Sequence, residues 1–146
     1  MMTNAPGTML ARRTLLGLCG GCAVLLSSSA VWAGTYLNSA ALLLTQASHE
    51  AEYLRARIND KELADLIHKL ADARLEAAKG MLVPKEVVQA HPHLLLVLEN
   101  YERAADSATR GEAEKFLVYQ QRARDEDRTF RGVLKQFGYA LPEQKP

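Results

Sequence analysis

A chain of 146 residues with 18 basic and 17 acidic side chains has a formal charge of +1. That balance supplies no basic stripe for nucleic acid and no acidic tail, and the length suits one domain after processing. Both cysteines, Cys19 and Cys22, lie near the N-terminus, so the rest of the chain has neither a disulfide nor a thiol nucleophile.

The N-terminus has the layout of a secretory signal peptide. Residues 1–10 are uncharged, Arg12 and Arg13 follow, residues 14–26 are apolar or small, and Ser27-Ser28-Ser29 leads into Ala30-Val31-Trp32-Ala33. A basic step, an apolar run and small residues before a cut define such a leader. Cleavage is expected after Ala33, with Val31 and Ala33 as the two small recognition residues. Gly17, Gly20 and Gly21 interrupt the apolar run, which is shorter than the ~20 residues of a spanning helix. The processed chain is therefore not expected to be an integral membrane protein. Arg12-Arg13-Thr14-Leu15-Leu16 fits the loose twin-arginine pattern, whose route exports folded proteins; a leader for unfolded export fits it as well. Cys19-Gly20-Gly21-Cys22 has the spacing of a redox pair or a lipidation site. The apolar run continues past it, however, and both cysteines leave with the leader. Removing residues 1–33 takes away two arginines and no acid, which moves the charge from +1 to about −1. Residues 34–146 are then expected in the periplasm or outside the cell, held together by core packing alone.

Four helical segments follow. In residues 36–58, Leu37, Ala40, Leu44, Ala47, Ala51, Leu54 and Ile58 alternate at spacings of three and four, the mark of one helix face. Thr35 or Asn38 is expected to cap its start, and Asp60 to cap the next. The second segment, Lys61–Lys79, has Leu63, Leu66, Ile67, Leu70, Ala73 and Ala77 as its stripe, which Met81 would extend, with Gly80 as a stop signal. So short a link requires the first two helices to run antiparallel. Pro84 favours a short helix over residues 85–90, and Pro92 suits the first turn of a third helix over residues 92–109. Its stripe is Leu94, Val97, Leu98, Tyr101, Ala104, Ala105 and Ala108. Arg110-Gly111 turns into the last segment, residues 112–137. There Phe116, Ala123, Phe130 and Phe137 fall seven apart, with Tyr119, Val133 and Leu134 between them. Gly138, Pro142 and Pro146 mark the end and a frayed tail. No strand pattern occurs, so the expected fold is all-α, an antiparallel up-down-up-down four-helix bundle.

Chemistry-bearing residues are few. His49 and His68 fall opposite the expected seams and should face solvent. Asp65-Leu66-Ile67-His68 mimics half of a di-iron carboxylate motif, but the last helix has no His to supply the other half. His91 and His93, two apart at a helix start, are the candidate ligands for a transition metal ion; spacing identifies no third ligand. The stripe of the last segment breaks at Glu126-Asp127, and Arg74 sits beside Ala73. At 1.5 Å rise per residue, Arg74 and Asp127 come to similar heights, about 22 and 25 Å above the tight turns. His93, Thr45 and Gln46 reach the same level, and Ala47, Ala73 and Ala77 leave room there. A polar layer in the core is expected, either a small polar-ligand pocket or an ion pair that sets helix register.

The order of an exported leader, four helices, a Pro-bearing second connection and a Gly turn into a long last helix resembles the cytochrome b562 and cytochrome c′ bundles. The resemblance implies the fold. It does not extend to haem: Thr129-Phe130-Arg131-Gly132 stands where those families place a His ligand, and neither the Cys-x-x-Cys-His pattern nor an early Met ligand is present. The sequence also lacks a phosphate loop, Gly-x-Ser-x-Gly and His-Glu-x-x-His. The expected function is therefore a non-catalytic, exported binding or interaction module without cofactor, for an unidentified protein partner or small ligand. Leu42, Leu43 and Leu75, off the main stripes, are candidates for contact with a partner or a second copy in a homodimer. The alternative is a metal or cofactor carrier.

Overall fold

The computed structural model describes residues 27–143, with side chains from Trp32 onward. The leader features at Arg12-Arg13 and Cys19-Cys22, and the tail residue Pro146, lie outside the described residues. Four α-helices lie among the described residues: α1 (Ser27–Ala56), α2 (Lys61–Lys79), α3 (His91–Thr109) and α4 (Ala113–Gln136). No strand occurs among the described residues. No helix among them is long and apolar enough to cross a membrane.

The stripes of α1 and α3 pack as their spacing predicts. Leu37, Ala40, Leu44, Ala47, Ala51 and Leu54 are buried, and so are all seven stripe residues of α3. Helix α1 starts well before the expected residue 36, so neither Thr35 nor Asn38 stands at its start. Ala33 and Tyr36 are buried as well. Asp60 caps α2 as expected, its Oδ1 accepting from the Leu63 N–H at 3.0 Å.

Helix α2 presents a different face from the expected one. Ala64, Ile67, Ala71, Arg74, Leu75 and Ala78 face the core. Leu66 is 55% exposed, and Leu70, Ala73 and Ala77 are exposed too. Apolar residues occupy two adjoining faces of α2, and packing selects the one rich in alanine. Small side chains allow helices to pack closely, and Ala64, Ala71 and Ala78 are each at most 4% exposed. Leu75 is therefore a core residue, not a partner contact, whereas Leu42 stays exposed and Leu43 packs partly against the core.

The second connection forms a short 3-10 turn, Lys85–Val87, in place of a helix reaching residue 90. Val87 and Ala90 plug the end of the core. Two apolar clusters result. The larger includes Leu44, Leu75, Leu94, Leu98, Phe130 and Leu134; the smaller joins Leu54, Ala64, Ile67, Ala104, Ala108 and Phe116. Phe137 closes α4 outside both and is 41% exposed.

Gly111 and Gly138 end α3 and α4 in the left-handed region, at φ 73° and 79°. In each case the following residue's N–H reaches back to the helix, Glu112 to Ser107 O and Tyr139 to Leu134 O, both at 2.9 Å. These are Schellman closures, which satisfy carbonyls the helix leaves orphaned. Gly80 closes α2 at φ −84° and does not use glycine's freedom. A Cβ at Gly111 would meet nothing within 4 Å, so only the dihedral opposes a side chain. Gly111→Ala is expected to cost about 1–2 kcal/mol in urea denaturation, and Gly111→Asn clearly less, because Asn tolerates this region.

Candidate functional site

Helices α3 and α4 pack tightly and α2 packs on α3, but α1 and α4 make no such close pairing. Glu52 bridges them from α1, its Oε1 accepting from the buried Gln120 Nε2 at 3.0 Å and from Arg124. Beyond that bridge the two helices leave a cleft of about 370 Å³, within the ~300–1,000 Å³ range of small-molecule sites. Leu44, Thr45, Ser48 and His49 line it from α1, Val97 and Tyr101 from α3, and Arg124, Asp127, Arg128 and Arg131 from α4.

The register of α4 accounts for this lining. Asp127 occupies a seam position between Ala123 and Phe130, where an apolar residue would otherwise close the core. Its side chain is half-buried, and Oδ2 accepts from Arg131 Nε at 2.9 Å. Its Oδ1 is buried without a hydrogen-bond partner. Arg124, Arg128 and Arg131 lie at i, i+4 and i+7, which places them along one side of the helix. Arg124 pairs with Glu52 and Arg128 with Asp125. Burial raises the pKa of the Tyr101 phenol, while a hydrogen bond with Ser48 works against that shift. The phenol therefore stays a neutral donor across the physiological range.

The residues of the expected polar layer are distributed differently. Thr45 and Asp127 both line the cleft. Gln46 is exposed. Arg74 does not approach Asp127: it pairs with Glu50 on α1, Nη2 to Oε1 at 2.6 Å, with its own side chain 7% exposed. Glu50 Oε2 is left buried and unpartnered. Arg74 lies among Ala51, Leu54 and Phe116, whereas Asp127 lies with Leu44, Thr45 and Val97.

His91 and His93 diverge around the first turn of α3, as residues two apart on a helix must. His91 Nδ1 lies 3.1 Å from Tyr36 Oη on α1, whereas His93 Nδ1 meets Glu126 Oε1 on α4. Among the described residues no three His, Cys, Asp or Glu side chains converge as a metal would need. His49 is exposed as expected, but His68 is half-buried, with Nε2 2.8 Å from Glu102 Oε1 on α3. The face that α2 turns inward draws His68 toward α3.

Burial lowers the pKa of His91 from the ordinary 6.5. The folded state therefore binds this proton less readily than the unfolded chain does. The His91 contribution is complete above about pH 6.5 and declines as pH falls from there through the lowered value. His91→Gln is expected to flatten that part of the stability–pH profile, measured by urea denaturation between about pH 5 and 7.

Sequence reasoning missed Arg124, Arg128, Arg131, Ser48 and Tyr101 as cleft residues. The arginine spacing was a usable signal, but the opening between α1 and α4 was not written in any local pattern. Compared with protein-family models, with curated proteins and with solved structures, the chain gives no match.

Proposed function

We propose that this chain is an exported, non-catalytic binding module, an antiparallel up-down-up-down bundle whose ligand site is the cleft between α1 and α4. One observation carries the reading: polar groups from three helices converge on a concave space of ligand size with an apolar floor. The antiparallel course is supported by residue pairings that climb one helix while descending the next. Glu50 meets Arg74, and Leu54 shares a cluster with Ala64 and Ile67. His93 meets Glu126, while Phe116 packs with Ala104 and Ala108.

Export rests on the leader pattern of residues 1–33. Because Ala33 is buried in the folded chain, a cut after it has to precede the docking of α1. N-terminal sequencing of the protein from the periplasmic or secreted fraction should begin at Gly34.

The binding reading is tested by thermal unfolding of the purified chain against a panel of small anions, neutral molecules and cations. A ligand at 100 times its Kd stabilises by about 2.7 kcal/mol. Ser48→Phe, which fills the cleft from α1, should abolish the shift. A panel that moves nothing, or a shift that survives Ser48→Phe, rejects the cleft as the site. Metal content of the same preparation, with and without His91→Ala and His93→Ala, separates this reading from a metal carrier.

A further inference from the structure

The two walls of the cleft differ in kind. Leu44, Val97 and the Tyr101 ring supply apolar surface, and Arg124, Arg128 and Arg131 line the α4 side. An inorganic anion leaves the apolar wall unused, and a cation meets the uncommitted N–H donors of Arg128 and Arg131.

A guanidinium has five N–H donors in a planar fork. Arg131 commits Nε to Asp127, which leaves both terminal nitrogens for a bidentate carboxylate. Arg128 commits Nη2 to Asp125, leaving Nε and Nη1. Thus the internal ion pairs fix the arginines without exhausting them, and Asp127 serves as a positioning residue for Arg131.

The charge balance limits the ligand further. Three guanidinium charges already face three carboxylates, those of Glu52, Asp125 and Asp127. One added negative charge finds free donors, whereas a second would take the site to a net −2 with no further arginine or lysine lining the cleft to offset it.

We infer that the cleft takes a small organic monocarboxylate with an apolar body, its carboxylate on Arg131 and Arg128 and its body against Tyr101 and Val97. This inference rests on the cleft being the binding site.

The test is calorimetric titration of the purified chain with benzoate and hexanoate, beside benzamide, hexylammonium and inorganic phosphate. Benzoate or hexanoate should bind with Kd below about 1 mM. Arg131→Gln and Arg128→Gln alter exposed side chains, so the fold should survive, and each should weaken binding about tenfold or more. Benzamide, hexylammonium and phosphate should bind at least about tenfold more weakly than the carboxylates. If a neutral, cationic or phosphate probe binds as tightly and Ser48→Phe blocks it, the monocarboxylate assignment is overturned and the cleft stands. Carboxylate binding unaffected by either arginine variant also overturns the assignment. If no probe binds, the monocarboxylate assignment is overturned, and the wider thermal-unfolding panel decides the cleft separately.

Discussion

Phe130→Ala should lower the unfolding free energy by about 3–5 kcal/mol, the range for truncating a large buried aromatic side chain. Phe130 is fully buried in the larger cluster with Leu94, Leu98 and Leu134. Truncation removes apolar contact and leaves a void that close-packed neighbours refill only in part. Domains of this size have about 5–15 kcal/mol in total, so the variant should be close to its threshold at growth temperature. Phe137 lies seven residues further along the same sequence stripe but is 41% exposed, and Phe137→Ala should stay within about 0.5 kcal/mol. Urea denaturation followed by helical circular dichroism measures both. Equal losses from the two variants would mean that α4 does not lie in the bundle as described.

The second large effect is expected at the α1–α2 contact. Arg74 is the one charged residue among the buried side chains described, and it faces a half-buried Glu50. Arg74→Met removes the cation and leaves the Glu50 carboxylate partly desolvated, with Oε2 already lacking a partner. The cost should be about 3 kcal/mol, the lower end for breaking a buried pair, because Glu50 retains some water. Adding Glu50→Leu should recover most of that loss, since a buried pair replaced by apolar side chains of similar volume is often neutral or better. A double-mutant cycle by urea denaturation reads the coupling directly. Additive losses from the two substitutions would show that the pair is not a mutual contact.

The stripes of α1 and α3 are legible in sequence because their spacing of three and four is regular, and Leu37 through Leu54 and Leu94 through Ala108 occupy their expected places. So are local signals: the Asp60 cap depends on atoms three residues apart, and the Gly111 and Gly138 closures on five. The break in the α4 stripe at Asp127 was equally visible, and Asp127 lines the cleft between α1 and α4.

What stayed illegible needed distances between segments. Leu66 and Leu70 of α2 outrank Ala64 and Ala71 in hydrophobicity, yet the buried face is the one with Ala64, Ile67, Ala71 and Ala78, whose small side chains suit close helix packing. Arg74 and Asp127 were matched by height, but Arg74 lies among Ala51, Leu54 and Phe116 and pairs with Glu50. The cleft is of the same kind. Its residues come from α1, α3 and α4, and it exists because α1 and α4 do not close on each other. Periodicity along a chain reports which side of each helix is apolar. How far apart two helices settle depends on the summed fit of all four, and that sum has no counterpart in any one segment.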